Sequence, residues 1–146
     1  MITKRYYNTQ QYYDCQFITL INACIYWDKP FINPYSRQYN KIMKGSGCRY
    51  GSCIDLSEAY DLMRIKFVCG DINLNWVRNN LPVQFEVFTK HRGYHSILCI
   101  DVSGNKLQVT NYAHEKLQTL TWQKIKNMQN ESVYIYQIKI KRKYDV

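Results

Sequence analysis

Apolar positions near the start of the chain recur with a helical period. They stand at i, i+3, i+4, i+7 and i+8, and no glycine or proline interrupts the chain before Pro30. The positions are Phe17, Leu20, Ile21, Cys24 and Ile25. This spacing places all five on one face and predicts an amphipathic α-helix that packs against a core.

The predicted start of this helix carries a thiol. Asp14 is the expected N-cap, where its carboxylate would accept a backbone N–H from the first turn. Cys15 then lies beside the unpaired amides and the positive end of the helix dipole. With an imidazolium nearby, such a position lowers a thiol pKa from about 8.5 to roughly 3.5–7.5, although a neighbouring carboxylate works against this. Cys15 is therefore the candidate nucleophile, whereas Cys24 and Cys99 lie in apolar runs that predict burial.

The middle of the chain is richer in turns and gives shorter patterns. Residues 31–40 and the glycine-containing stretch 44–52 are predicted as turns. A start signal at Ser52-x-x-Asp55 precedes apolar residues at helical spacing and predicts a second helix. A short strand is expected at 66–70 and a short helix at 73–80.

The second half of the chain changes to the alternation of apolar and polar residues that is typical of strands. Val83, Phe85 and Val87 alternate with Gln84 and Glu86. Further strands are predicted at 95–102, 106–112, 116–120 and 132–141, with a short helix at 121–128 that Thr121 would cap. Because helices come first and an antiparallel sheet follows, the fold class predicted is α+β, with N-terminal helices packed on a C-terminal antiparallel sheet.

The hairpin between the strands at 95–102 and 106–112 decides whether His95 and Asn111 can meet. An asparagine amide oxygen bonded to imidazole could fix the ring orientation that a Cys–His pair requires. A three-residue loop at 103–105 would place both residues on one face as diagonal neighbours, roughly 7–8 Å apart. A two-residue turn at 104–105 would place Asn111 on the opposite face. Both remain open, and Gly104 favours the longer loop.

Composition limits the classes of protein to consider. The chain has 146 residues, 46% of them hydrophobic, which predicts a single domain over residues 1–146. No apolar stretch approaches the ~18 residues that span a bilayer, and no secretory leader stands at the start. We therefore expect a cytoplasmic protein without a membrane partner and with reduced thiols. The small size and the Lys-, Asn-, Tyr- and Ile-rich composition favour a phage or bacterial source.

The sequence offers residues for two other kinds of site, a zinc site and a nucleic-acid-binding surface. A zinc site could draw on Cys48, Cys53, Cys69 and a histidine, but the paired ligand spacing of structural zinc sites is missing. We predict no metal and no cofactor. The net charge of +9 and the fourteen tyrosines would suit single-stranded nucleic acid. The charge is scattered along the chain, however, so a nucleic-acid partner is not the favoured prediction.

Several local patterns occur together in the order that is typical of one enzyme family. They are RYYNTQQYYDCQFITLINACIYW, GSCIDLSEAYDLM, LPVQFEVF, GYHSILCIDVSGNKLQVTNY and LTWQKIKNM. This series resembles the papain-like cysteine peptidases, most closely the peptidase C39-like branch of bacteria and phages, over nearly the whole chain. The resemblance implies a papain-like fold.

The resemblance also implies roles for individual residues. Cys15 would be the nucleophile, His95 the general base and acid, and Asn111 the residue that orients the imidazole. Gln10 would share the oxyanion hole with the Cys15 backbone N–H, with Gln11 as the alternative. The family commonly has glycine directly after the nucleophile and glutamine six residues before it, where this chain has Gln16 and Thr9.

Three hypotheses of function follow. The leading one is a cysteine peptidase-like hydrolase that cleaves a peptide or amide bond of a peptide or protein substrate through a thioester. The second is a papain-fold binding or virion protein with weak or no turnover, encoded by a phage and directed at a host protein in the host cytoplasm. The third is a basic nucleic-acid-binding module.

Overall fold

The chain folds into helices followed by an antiparallel sheet, as the sequence predicts. The structure is a computed structural model that describes residues 4–9, 14–46, 55–90, 93–113 and 117–142. The helices are α1 (Cys15–Tyr26), α2 (Arg37–Gly45), α3 (Ser57–Met63), α4 (Leu74–Asn79) and α5 (Trp122–Met128). The strands are β1 (Ile65–Gly70), β2 (Val83–Thr89), β3 (Gly93–Ser103), β4 (Lys106–Thr110), β5 (Leu117–Thr121) and β6 (Ile135–Ile140). The α+β prediction is confirmed.

A six-stranded sheet in the order β1-β6-β2-β3-β4-β5 forms the centre of the molecule, and every pair of neighbours is antiparallel. Successive side chains of a strand point to opposite faces, so the sheet has an apolar surface on each side. One side packs on α1 through Leu98 and Ile138. The other side, which includes Phe85 and Ile97, packs on residues of α4 and α5. In the described parts of the chain, no helix has the length and apolar character needed to cross a membrane.

Helix α1 carries the predicted apolar stripe, but its first turn is held differently from the prediction. Phe17, Leu20 and Ile21 are fully buried against the sheet. Asp14 is at the N-cap as expected, yet its side chain makes no capping hydrogen bond. Its carboxylate instead accepts a hydrogen bond from the Tyr39 hydroxyl. Asp14 is thus used to join α1 to α2 rather than to cap α1.

Helix α2 was not predicted, because the sequence pattern indicated turns at residues 31–40. Ser36 begins this helix, and its hydroxyl accepts a hydrogen bond from the Tyr39 N–H at 3.1 Å. Tyr39, Ile42 and Met43 form its buried face at i, i+3 and i+4. The N-cap serine and this apolar triplet were the available signals. Asn33 and Pro34, just upstream, suggested a turn and obscured them.

Helix α3 confirms the second predicted helix but begins later than the start signal indicated. Ser52 lies outside the described residues, and the helix runs from Ser57 to Met63. The Asp55 carboxylate accepts a hydrogen bond from the Ser57 N–H at 3.0 Å, so it does serve the first turn.

The β3–β4 hairpin has a shorter turn than the one the sequence favoured. Beyond that turn, the two strands nevertheless return to the predicted register. Ser103 pairs with Lys106, so the turn has two residues and not three, with Gly104 at a φ of 61°. The register then shifts by one residue between Cys99 and Asp101 at a β-bulge. Because a one-residue shift reverses the face, the bulge compensates for the shorter turn.

Candidate functional site

Cys15 is the first residue of α1 and lies against β3. Hydrogen bonding from the Gln16 backbone and from the backbone and hydroxyl of Ser96 lowers the pKa of its thiol, which indicates that the sulfur lies beside these groups. Ser96 directly follows His95 in β3. The fold therefore brings the Cys15 thiol to β3 beside the residue that follows the candidate histidine, whereas the His95 side chain points to the other face of that strand.

The environment of Cys15 raises its pKa, against the direction that a helix N-terminus alone predicts. Burial is the largest cause, and the charge of the Asp14 carboxylate also raises the pKa. The hydrogen bonds from Ser96 and Gln16 lower it but do not outweigh burial. The resting sulfur is accordingly a protonated thiol at neutral pH, and a base is needed to make it nucleophilic.

Removal of the Asp14 charge is expected to make Cys15 more reactive. Asp14→Asn keeps an oxygen that can accept the Tyr39 hydroxyl but removes the negative charge next to the sulfur. The pKa of Cys15 should fall, and alkylation by iodoacetamide at a fixed pH below that pKa should become several-fold faster. Mass spectrometry of the Cys15 peptide measures the rate, and the exposed Cys69 gives the reference rate. A slower reaction at Cys15 would contradict the role given to Asp14.

His95 is buried, with 4% of its surface exposed, and its ring is held by the main chain of Asn111. The ring Nε2 contacts the Asn111 carbonyl oxygen. A carbonyl oxygen can only accept, so Nε2 carries the proton and Nδ1 carries the lone pair of the neutral imidazole. This is the tautomer that a general base needs. The sequence paired the same two residues, but through the Asn111 side-chain amide.

The Asn111 side chain holds the backbone around the histidine instead. Its Oδ1 accepts hydrogen bonds from Thr9, at 2.7 Å from the backbone N and 2.9 Å from the hydroxyl. Its Nδ2 donates to the Ser96 carbonyl at 3.2 Å. Asn111 has a φ of 64°, in the left-handed region that asparagine tolerates better than most residues. One buried side chain thus ties residues 4–9 to β3.

Residues 4–9 are also tied to α1 by a second buried asparagine. Asn22 accepts a hydrogen bond from the Tyr7 N–H at 2.8 Å and donates to the Tyr7 carbonyl at 3.0 Å. It also donates to the Thr110 hydroxyl at 3.0 Å. The chain that leads toward the nucleophile is therefore fixed to both the helix and the sheet.

The side chain of Gln16 belongs to a polar cluster with Gln84 and Ser96 that no sequence pattern indicated. Gln16 and Gln84 are joined by two amide hydrogen bonds, of 3.0 and 2.8 Å. The Ser96 hydroxyl donates to Gln16 Oε1 at 2.9 Å. The alternating pattern of β2 indicated that Gln84 would lie away from the Phe85 face, but nothing in the sequence indicated its partner.

Other candidate residues cannot be placed in the same way. Gln10 and Gln11, proposed for the oxyanion hole, and Cys48 and Cys53 of the alternative zinc site lie outside the described residues. Within the described ranges, no group of three or more His, Cys, Asp or Glu residues could hold a metal ion. Cys24 and Cys99 are fully buried, and burial raises the pKa of each to about 12.

Comparisons with known proteins give a structural match only. No protein-family model matches the sequence, and no curated protein matches it. Among solved structures, the chain is similar to the crystal structure of the peptidase domain of Streptococcus ComA, a bifunctional ABC transporter involved in a quorum-sensing pathway. The TM-score is 0.70 at 12% sequence identity, and the match covers 95% of this chain and 100% of that chain. The chain therefore has an α+β, papain-like fold of the kind found in C39 peptidase domains.

Proposed function

We propose that the chain is a thiol hydrolase of peptide or amide bonds in which Cys15 is the nucleophile and His95 the general base and acid. The observation that carries this proposal is the position of the Cys15 sulfur against Ser96, the residue that follows His95. The contact of His95 Nε2 with the Asn111 carbonyl supports it, since that contact leaves Nδ1 as the basic nitrogen.

The reaction would proceed through a covalent thioester. His95 accepts the thiol proton as the Cys15 sulfur attacks the substrate carbonyl carbon, and the C=O electron pair moves to oxygen. The imidazolium then gives its proton to the leaving amine as the C–N bond breaks. A water molecule, deprotonated by His95, attacks the thioester and releases the acid and the thiol. Gln10 and the Cys15 backbone N–H are proposed as the donors to the oxyanion.

Asn111 has a different proposed role from the one its residue type suggests. Its main-chain carbonyl orients the imidazole, and its side chain holds the backbone that carries that carbonyl. The third member of the site would therefore act through main-chain geometry. The substrate class we propose is a peptide or a peptide segment of a protein.

A second candidate function is binding without turnover. The specific observation in its favour is that the side chain of Gln16 lies next to the nucleophile position and is fixed by Gln84 and Ser96. A fixed side chain at a position where C39-like peptidases usually have glycine could restrict access to the sulfur. In this hypothesis a phage-encoded protein with a papain-like fold would bind a host protein.

Labelling with a peptidyl acyloxymethyl ketone separates the two functions. This probe reacts with a thiol that is activated beside a peptide-binding cleft, so we expect one equivalent of label, located on Cys15. Cys15→Ala should abolish labelling, whereas Cys69→Ala, which removes an exposed thiol, should leave it unchanged. Equal labelling of several cysteines, or none of Cys15 in the folded protein, would argue for the binding function.

A further inference from the structure

The polar group around Cys15 contains one hydroxyl proton and two acceptors for it. The Ser96 hydroxyl donates to Gln16 Oε1 at 2.9 Å. Hydrogen bonding from the same hydroxyl also lowers the pKa of the Cys15 thiol, which indicates that the hydroxyl lies beside the sulfur. A serine hydroxyl has a single O–H, which rotates about the Cβ–Oγ bond and can be donated to only one of these atoms at a time.

Gln16 Oε1 has a second donor that makes such a rotation inexpensive. Gln84 Nε2 donates to this oxygen at 2.8 Å, and Gln16 Nε2 donates back to Gln84 Oε1 at 3.0 Å. When the Ser96 hydroxyl turns away, Gln16 Oε1 therefore keeps one hydrogen bond. An unpaired oxygen in this half-buried place would otherwise oppose the change.

We propose that the Ser96 hydroxyl is a rotor that donates to Gln16 Oε1 while Cys15 is a thiol and to the Cys15 sulfur once it is a thiolate, with Gln84 as the positioning residue that holds Gln16 through the change. No bond to a heavy atom is formed or broken in this step, since only the torsion of one O–H changes. The inference deepens the proposed function, because it rests on Cys15 as the reactive thiol. It also gives a role to Gln16, which stands where C39-like peptidases usually have glycine.

Several titratable groups lie on the elements that flank Cys15 and Ser96. They are Asp14 before the thiol, Tyr39 on α2, which donates to Asp14, Glu86 opposite Ser96 on β2, His95 on β3 and Tyr136 opposite Gln84 on β6. The test must leave all of them in place. Uncharged substitutions at Gln16 and Gln84 meet this condition.

The rotor predicts opposite effects of the same substitution at the two glutamines. Gln16→Met removes the competing acceptor, so the Ser96 hydroxyl is free for the sulfur and the thiolate is favoured. Gln84→Met removes the second donor, so Gln16 Oε1 retains the Ser96 hydroxyl and the thiolate is disfavoured. Methionine is close to glutamine in size and shape, so each variant changes polarity more than packing.

The experiment measures the rate at which iodoacetamide alkylates Cys15 in the full chain across a pH series. At a fixed pH below the thiol pKa, the rate should rise about tenfold in Gln16→Met and fall about tenfold in Gln84→Met, the change expected from one hydrogen bond to a charged group. Alkylation of Cys15 should be slow in Ser96→Ala, and adding Gln16→Met to that variant should not change the rate further. Cys69 is the internal reference, and its rate should be the same in every variant.

Changes of the same sign in the two methionine variants, or no change in either, would overturn the rotor. A merely structural role predicts the same sign, because either substitution breaks the same amide pair. If a methionine variant does not fold, alanine at the same position predicts the same direction. The readout is alkylation and not turnover, so the rotor can fail while hydrolysis is observed, and hydrolysis can fail while the rotor is confirmed.

Discussion

His95→Ala is expected to lower the rate at which the protein is acylated by p-nitrophenyl acetate by roughly 10³-fold, the range typical of a lost general base. The physical reason is the raised pKa of Cys15, which leaves a protonated thiol at neutral pH that depends on a base. The measurement is the burst of nitrophenolate, followed by identification of the acetylated cysteine by mass spectrometry.

The controls test whether Cys15 and His95 act as a unit. Cys15→Ala should abolish the burst, and the double variant should be no slower than Cys15→Ala alone, because groups that act as a unit are not additive. Raising the pH should restore part of the rate of His95→Ala, since hydroxide then forms the thiolate.

The alternation of side chains along β3 makes the His95 experiment decisive. Ser96 points to the face that packs on α1, whereas His95 pairs with Val87 and shares its face with Ile97. For the proposed proton transfer, the imidazole would have to reach the sulfur around the edge of the strand. An unchanged acylation rate in His95→Ala would show that the imidazole does not activate the Cys15 thiol. The hydrolase proposal would then have to be abandoned.

Asn111→Ala is expected to destabilise the protein by about 3 kcal/mol, the largest loss of stability that we predict for a residue near the site. The Asn111 side chain is fully buried. Its removal leaves the Thr9 N–H and hydroxyl and the Ser96 carbonyl without their partner. The left-handed backbone adds about 1 kcal/mol for any residue with a Cβ that lacks the tolerance of asparagine. Urea unfolding followed by circular dichroism gives the change in free energy.

Two further substitutions at this position separate the causes. Asn111→Gly loses the same hydrogen bonds but accepts a φ of 64° without strain, so it should be about 1 kcal/mol more stable than Asn111→Ala. Asn111→Asp keeps an acceptor for Thr9 but replaces the donor to the Ser96 carbonyl, and we expect it to destabilise the fold.

The glycine variant also tests which part of Asn111 orients His95. A glycine retains the main-chain carbonyl that contacts Nε2. Folded Asn111→Gly should therefore label at Cys15 within a factor of about ten of the unsubstituted protein, whereas loss of the orienting group should cost far more. A drop as large as that of His95→Ala would assign the role to the side-chain amide after all.

The elements of the fold could be predicted because their patterns are local. The stripe of α1, the alternation of β2 and the Thr121 cap of α5 each depend on residues a few positions apart. Thr121 Oγ1 indeed accepts a hydrogen bond from the Lys124 N–H at 3.2 Å. Helix α2 shows the limit of this approach, since a short amphipathic helix next to Asn and Pro gives two conflicting local signals.

The contacts of the candidate site were harder to predict because they depend on tertiary structure. No local rule indicates that β3 contains a bulge between Cys99 and Asp101, so the turn and the register could not both be inferred. Likewise, burial of Cys15 reverses the direction that the helix end alone gives its pKa, and burial is a property of the assembled fold. The residue type suggested that the side-chain amide of Asn111 would contact His95, whereas the main-chain carbonyl of Asn111 makes that contact.

The position of β6 has a consequence for the order of assembly during translation. This strand is the last of the described elements in sequence, yet it lies inside the sheet between β1 and β2. Until the ribosome has released residues 135–140, β1 lacks the strand it pairs with in the described sheet, and the β2 edge beside Gln84 is open. A nascent chain arrested before that point would hold Cys15 and His95 on an incomplete sheet, so maturation of the thiol site must wait until β6 has been synthesised.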